Sequence, residues 1–362
     1  MSQLAIYRKY RPAAFADVIG QDQTVKILRE ASRQNRFSHA YIFAGPRGSG
    51  KTTLARLVAK SANCQKKKDG EACNKCSSCE EINAGKSLDL VEIDGASNRG
   101  IDEIREVREN ARFAAASGQN KIFIIDEAHM LTPAAFNALL KTLEEPAANI
   151  IFILATTEIE KIPVTIRSRS QQFFFKKISV KEIIGKLETI AKTEKIKIDA
   201  EAINLIATAA EGSFRDSESL LNQLLVIGDK KIELEEVENM IGRIGFAKLA
   251  TCAELILKNN TEKILQEINL IYDGGYNISQ FAKDLIQHLR RAAVLKFNPE
   301  IKNLLAKEMS AEHLALLENH SKLFQEIHLK VLKSLMVAYG QMRYSQFPII
   351  NLEVALIESL KK

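Results

Sequence analysis

The stretch Gly45-Pro46-Arg47-Gly48-Ser49-Gly50-Lys51-Thr52 constrains this chain more than any other part of it. It satisfies G-x-x-x-x-G-K-[ST] at every fixed position, with Thr53 following. Its context is the one that pattern requires. A short β-rich run at 41–44 leads in, and a helical pattern from about 50 to 61 leads out. Glycines let backbone N–H groups turn towards a phosphate, and the helix N-terminus adds partial positive charge. Lys51 is spaced to reach β- and γ-phosphates, and the Thr52 hydroxyl to ligate Mg²⁺. The sequence therefore predicts a nucleotide site on a parallel α/β sheet.

The surrounding pattern agrees. Short apolar runs recur at 41–44, 89–93, 122–125, 150–154 and 172–175, separated by longer amphipathic segments. One such segment, 101–111, places Ile101, Ile104, Val107 and Ala111 on a stripe. Another opens with Thr132 as N-cap and Pro133 in its first turn, buries Phe136, Leu139, Leu140 and Leu143, and stops at Pro146. Beyond about residue 178 the strand signals disappear. Helices are expected near 180–195, 200–210 and 214–228, then a second helical block with Gly274-Gly275 as its clearest break. The expected division is 1–178 as an α/β nucleotide domain, 179–242 as a helical lid and 243–362 as a helical domain.

Composition narrows the class. The chain has 362 residues, 46% hydrophobic and 27% charged, which suits a soluble globular protein of two or three domains at ~100–200 residues each. The apolar run Ile150 to Ala155 is far shorter than the ~18 residues of a membrane helix. The start, Met1-Ser2-Gln3-Leu4, has no apolar signal core, so a cytoplasmic location is expected. A net charge of +6, well mixed along the chain, permits nucleic-acid contact without arguing for it.

Other residues carry chemistry. The run 122–125 ends in Asp126-Glu127, where Asp126 would hold Mg²⁺ through water and Glu127 would polarise an attacking water. His129, two residues on, is as readily a structural helix start, and none of the six histidines receives a catalytic role. Ala155-Thr156-Thr157 ends the next strand; Thr157 either senses a γ-phosphate or belongs to a Thr-rich turn. Ser168-Arg169 offers a surface ion pair or an arginine finger into a neighbouring subunit. Arg215, at the start of a lid helix, is placed to reach back to the phosphates.

Four cysteines, Cys64, Cys73, Cys76 and Cys79, fall within sixteen residues. Four thiolates suit a closed tetrahedral Zn²⁺ site, structural rather than catalytic. An iron–sulfur cluster or four free thiols on a loop are the alternatives. Cys252 stands alone in a helix and reads as a small core residue.

Taken together, these motifs resemble the AAA+ clamp-loader family of bacterial DNA polymerase III. The carrying residues are Tyr7-Arg-Lys-Tyr-Arg-Pro12, Phe15-Ala-Asp-Val-Ile-Gly-Gln21, the phosphate loop, the cysteine insert and Glu92-Ile-Asp-Gly-Ala-Ser97. They continue through Asp126-Glu-Ala-His-Met-Leu131, Asn137 to Pro146, Leu154-Ala-Thr-Thr157, Ser168-Arg169 and Gly212-Ser-Phe-Arg-Asp216. The resemblance implies an AAA+ module, a three-helix lid and a C-terminal collar that joins subunits into a ring. It implies ATP, Mg²⁺ and Zn²⁺ as cofactors. Thr157 would act as sensor 1, Arg215 as sensor 2, and Arg169 would complete the adjacent subunit's site. Tyr10, Arg11, Pro12, Val18 and Ile19 would lie around the adenine.

By the same resemblance the partners are delta- and delta-prime-type subunits, further copies of this chain, a sliding clamp and primer–template DNA, in a nucleoid-associated replisome. The chain would be the ATPase motor, not the polymerising subunit. Ser170 departs from the family's Ser-Arg-Cys, and Arg99 is a candidate DNA contact. The end at Lys362 reads as a short form without the polymerase-binding tail. Competing readings are an inert structural subunit, a branch-migration motor and a nucleic-acid-binding zinc protein. The intact loop opposes the first, the cysteine insert the second and the whole nucleotide apparatus the third.

Overall fold

The computed structural model describes residues 5–116, 118–227 and 231–361. They fall into two compact units, Met1–Ile178 with Gly212–Asp216, and Ser179–Glu211 with Ser217–Lys362.

The first unit is built on five parallel strands: β1 (Ala40–Ala44), β2 (Leu90–Asp94), β3 (Lys121–Asp126), β4 (Ile150–Thr156) and β5 (Gln171–Phe174). Their order is β2-β3-β4-β1-β5. Every residue of β1 and β4 is buried, as continuous apolar runs require when helices cover both faces of a parallel sheet. On one face Ile42, Phe123, Phe152 and Leu154 meet the helices Ile101–Asn110 and Pro133–Glu144 through Ile104, Val107, Phe136 and Leu139. On the other, Tyr41, Phe43, Ile124 and Ile153 meet α1 (Asp22–Arg33) and α2 (Lys51–Asn63) through Leu28, Leu54 and Val58. Phe123 stacks on Phe152 with centroids 5.0 Å apart.

Expected and observed strands differ by only one or two residues at their ends. The helix Pro133–Glu144 starts as expected, with Thr132 Oγ1 accepting from the Ala135 N–H at 3.2 Å. Register sets the site. Ala44 pairs with Thr156, and Asp94 pairs with Asp126, so the strand C-termini share one edge. That edge is where open α/β sheets present ligand sites.

The second unit is helical, with two departures from expectation. Strand signals do not vanish after residue 178: Lys197–Ile198 pairs in parallel with Lys231–Ile232. Two residues per strand are too few for an alternation to show in sequence. A further helix, Leu234–Ile241, follows the expected three, Val180–Glu194, Ala200–Ala209 and Phe214–Ile227. Position 228, the expected end of the third, lies outside the described residues. Farther on, Thr261–Asp273 ends at Gly274, with Gly275 at φ 78°, which matches the expected break. No described helix is long and apolar enough to cross a membrane.

The second unit buries a histidine pair, His288 Nε2 facing His320 Nδ1 at 2.8 Å. Burial, then the nearby His320, Arg291 and His313, pushes His288 down to about 3, and burial also lowers His320. The unfolded chain takes up these protons near pH ~6.5, so the stability of the neutral pair is complete above that pH. It drains as pH falls from about 6.5 towards 3. Urea unfolding of this unit should therefore show a midpoint that drops between pH 7 and pH 5, and His288→Gln should flatten the drop.

Candidate nucleotide site and four-cysteine cluster

The loop after β1 is shaped by its glycines. Gly48 has φ 70°, and a Cβ there would lie 1.8 Å from Ser213 Oγ. Gly50 has φ 98°, caps α2, and has open space where its Cβ would be. Within the loop Ser49 Oγ donates to the Pro46 carbonyl at 2.7 Å. Arg47 is exposed, while Thr52 and Thr53 are half-buried on the first turn of α2.

Lys51 is buried, and its Nζ donates to the carbonyls of Gly45 (2.8 Å) and Pro46 (2.9 Å). Burial lowers its pKa, and the carboxylates of Glu127 and Asp126 oppose that shift. The Thr52 hydroxyl donates to Asp126 Oδ2 at 2.8 Å, joining α2 to the end of β3. A hydroxyl beside a carboxylate is an oxygen donor set that fits Mg²⁺. Glu127 follows in a left-handed conformation, φ 47°, and its Oε2 accepts from Thr157 Oγ1 at 3.3 Å. The structure thus brings Lys51, Thr52, Asp126, Glu127 and Thr157 to one end of the sheet.

Two residues at this end, His129 and Gln21, received no role in the sequence. His129 Nδ1 lies 3.4 Å from Glu127 Oε2 and 3.2 Å from Thr156 Oγ1, and its Nε2 is 3.3 Å from Glu158 Oε1. Its ring therefore fixes the turn that carries Glu127 instead of merely starting a helix. Gln21 is buried; its Nε2 donates to the carbonyls of Lys176 (2.8 Å) and Ser49 (3.4 Å), and its Oε1 accepts from the Lys176 N–H. It ties the phosphate loop to the exit of β5. The only signal for Gln21 was its place at the end of the Phe15–Gln21 run.

The other candidates make contacts of their own. Arg215 lies with its Cζ 5.6 Å over the Tyr7 ring. Arg169 pairs with Glu144 at 2.8 Å and donates to the Thr165 carbonyl and Ser168 Oγ, so within its own chain it takes the ion-pair role. Tyr10, Arg11 and Pro12 are half-buried after the short helix Ile6–Lys9. Val18 packs on the core beside α1, and Ile19 is exposed.

The thiol Sγ atoms of Cys64, Cys73, Cys76 and Cys79 all lie within 4.8 Å of one another. That closeness, with four soft donors and no fifth ligand among the described residues, fits tetrahedral Zn²⁺. The N–H of Cys73 donates to Cys64 Sγ at 3.2 Å. A backbone N–H at Lys75 leads the effects that bring Cys73 down to about 6, while burial pushes Cys79 well up. Buried Lys60 donates to Asn83 Oδ1 at 3.0 Å; burial lowers its pKa, and the charges of Cys79, Asp17, Cys64 and Cys73 only partly oppose that shift.

Comparison with known proteins agrees with this geometry. The family described as DNA polymerase III, delta subunit, matches residues 20–179. The DNA polymerase III clamp loader subunit ATPase lid domain matches 182–230, and domain III of the DNA polymerase III subunits gamma and tau matches 232–361. DNA polymerase III subunit tau of Bacillus subtilis is 37% identical over 358 residues, 99% of this chain and 63% of that one. The Escherichia coli subunit tau is 38% identical over 318 residues, 88% of this chain and 49% of that one. The chain belongs to the gamma and tau family of DNA polymerase III subunits.

It spans between about half and just under two thirds of these curated relatives. Among solved structures, the Thermotoga maritima RuvB Holliday junction branch migration motor gives a TM-score of 0.49 at 19% identity, over 68% of this chain and 79% of that one. The Bacillus subtilis DNA clamp loader delta protein gives 0.41 at 16% identity, over 93% and 99%. Both scores are too low to add to the assignment, which rests on the family matches.

Two outcomes follow for this unit. Elemental analysis of the purified chain should find about one zinc per molecule, and its removal by a chelator should lower the thermal midpoint of the first unit. Gly48→Ala, strained in φ and colliding with Ser213, should destabilise that unit by at least ~1 kcal/mol in urea titration.

Proposed function

We propose that this chain is an ATP-hydrolysing motor subunit of a DNA polymerase III clamp loader, which opens the sliding clamp and loads it onto primed DNA. The observation that carries this reading is the complete phosphate loop joined to β3 through the Thr52–Asp126 hydrogen bond. Loop N–H groups and Lys51 take the β- and γ-phosphates of ATP, so Nζ must exchange the Gly45 and Pro46 carbonyls for phosphate oxygens. Thr52 and Asp126 hold Mg²⁺, which when bound neutralises phosphate charge. Glu127 orients the attacking water and accepts its proton, with Thr157 placing the carboxylate. Tyr10, Arg11, Pro12, Val18 and Ile19 surround the adenine, and Arg215 reaches the phosphates from the lid.

Arg169 acts in a neighbouring subunit's site as an arginine finger. The division 1–178, 179–242 and 243–362 then corresponds to motor, lid and ring-forming collar. The partners are delta- and delta-prime-type subunits, other copies of this chain, the clamp and primer–template DNA, in the cytoplasm at the replisome. The four cysteines hold Zn²⁺ as a brace.

Steady-state ATPase of the chain alone, and then with loader partners, clamp and primed DNA, tests the reading. Weak activity alone with strong stimulation in the mixture is expected. Lys51→Ala should strongly weaken nucleotide binding, and Arg169→Ala should cut assembled turnover by about 10³-fold while sparing binding. An assembled chain that binds no ATP overturns the motor reading in favour of the inert subunit. Rapid hydrolysis by single chains that ignore the clamp favours a branch-migration motor.

A further inference from the structure

The loop between the first two cysteines is fastened to the rest of its unit at several points. Gly70, at φ 79°, passes so close to α1 that a Cβ would lie 2.3 Å from the Arg29 carbonyl. The buried Ser32 hydroxyl donates to the Gly70 carbonyl at 2.7 Å, and Arg29 Nε donates to that of Asp69 at 3.1 Å. Glu71 comes next, two residues before Cys73, its backbone paired in both directions with Lys68. The side chain of Glu71 leaves the insert altogether. Its Oε2 accepts from the Phe15 N–H at 2.8 Å, its Oε1 accepts from the Ala16 N–H at 3.1 Å, and Arg29 Nε lies 3.3 Å from Oε1.

Phe15 and Ala16 open the 3₁₀ turn Phe15–Asp17, whose first N–H groups have no partner inside the turn. The turn is closed at its other end by the Val18 N–H donating to the Phe15 carbonyl at 3.2 Å. Phe15 is buried among Leu28, Leu54 and Phe43. Val18 and Ile19 follow directly, and then Gln21, which bonds to the phosphate loop. One carboxylate from the cysteine insert thus caps the turn that leads to Val18 and Ile19, while Asp17 Oδ2 accepts from the Ala13 and Ala14 N–H groups on its other side.

We propose that Glu71 is a positioning residue for nucleoside recognition, through which metal binding at Cys64, Cys73, Cys76 and Cys79 sets the affinity for the base end of ATP. The inference rests on the nucleotide reading above and deepens it. Four ligated thiolates fix the ends of the insert and so fix where the Glu71 backbone lies. A charged carboxylate accepting two backbone N–H groups then holds the turn in one conformation. Without metal or without the carboxylate, residues 15–19 are released while Lys51, Thr52 and Asp126 keep their own contacts. The signature is therefore selective: the nucleoside end weakens and the phosphate end does not.

Equilibrium binding of a fluorescent ATP analogue to the full chain, competed by ATP or by inorganic tripolyphosphate, reads this directly. Glu71→Ala with full zinc content should weaken ATP by about 10-fold, the scale of losing one charged hydrogen bond, and leave tripolyphosphate unchanged. Glu71→Gln, which keeps acceptor oxygen but no charge, should fall between Glu71→Ala and the native chain. Native protein stripped of zinc should reproduce the Glu71→Ala pattern, and amide exchange at Phe15 and Ala16 should quicken in both. Unchanged ATP affinity, or equal losses for ATP and tripolyphosphate, overturns the role of Glu71. Lys51→Ala separates the two ideas: it should weaken both competitors, and native-like binding by that variant overturns the nucleotide reading itself.

Discussion

The hydrogen bond between Thr52 and Asp126 is the contact on which the arrangement at this site depends. It joins the first turn of a helix to the last residue of a strand 74 positions later in the chain. Strand β3 is not a neighbour of β1; β4 lies between them. The bond forms because parallel register brings all three strands to a common edge, and because α2 starts immediately beyond β1. Two carboxylates then stand near Lys51, and their field opposes the lowering that burial imposes on the ammonium. Positive charge held in a desolvated loop is what a polyphosphate needs.

Around that contact, tolerance for change is small. Ser213 fills the space that any side chain at position 48 would need. Phe175 does the same at Gly45, where a Cβ would lie 2.5 Å from its carbonyl oxygen. Gly50 is different: nothing crowds it, and its φ of 98° alone explains the glycine. Two of the loop's glycines thus admit close neighbours, and the third supplies the turn that starts α2.

Much of this was legible in the sequence because the signals were local. Phosphate loop, strand runs, the Thr132 cap and the cysteine spacing each sit within a few residues, where side-chain type and period decide the structure. What escaped was long-range or short. Gln21 bonds to Lys176, 155 positions away, and nothing near Gln21 announces it. His129 bridges Glu127, Thr156 and Glu158, a role set by β3 lying beside β4 rather than by neighbours in sequence. The two-residue strands at 197–198 and 231–232 carry no alternation, and they pair across more than thirty residues. The helix Leu234–Ile241 was not picked out because its capping box begins at Glu233, outside the usual Ser, Thr, Asp and Asn.

The proposed role of Arg169 in a neighbouring subunit sets a condition on its contacts at home. Within its own subunit it is paired with Glu144 and bonded to the Thr165 carbonyl and Ser168 Oγ. Both members of the ion pair remain well exposed, at 36% and 45% of their side chains. Exposed pairs of this kind contribute only about 0–1 kcal/mol, because water and salt screen them. A γ-phosphate from an adjacent subunit carries more charge than one carboxylate and would sit in a drier place, where the same attraction is larger. The resting pair is therefore strong enough to hold the guanidinium in one region and weak enough to surrender it. Had Arg169 been paired in the core, as Arg243 is with Asp284 on side chains 9% and 13% exposed, release would strand a buried carboxylate and the transfer would be costly. On the proposed reading, it is this difference in burial that would let Arg169 leave its partner where Arg243 could not.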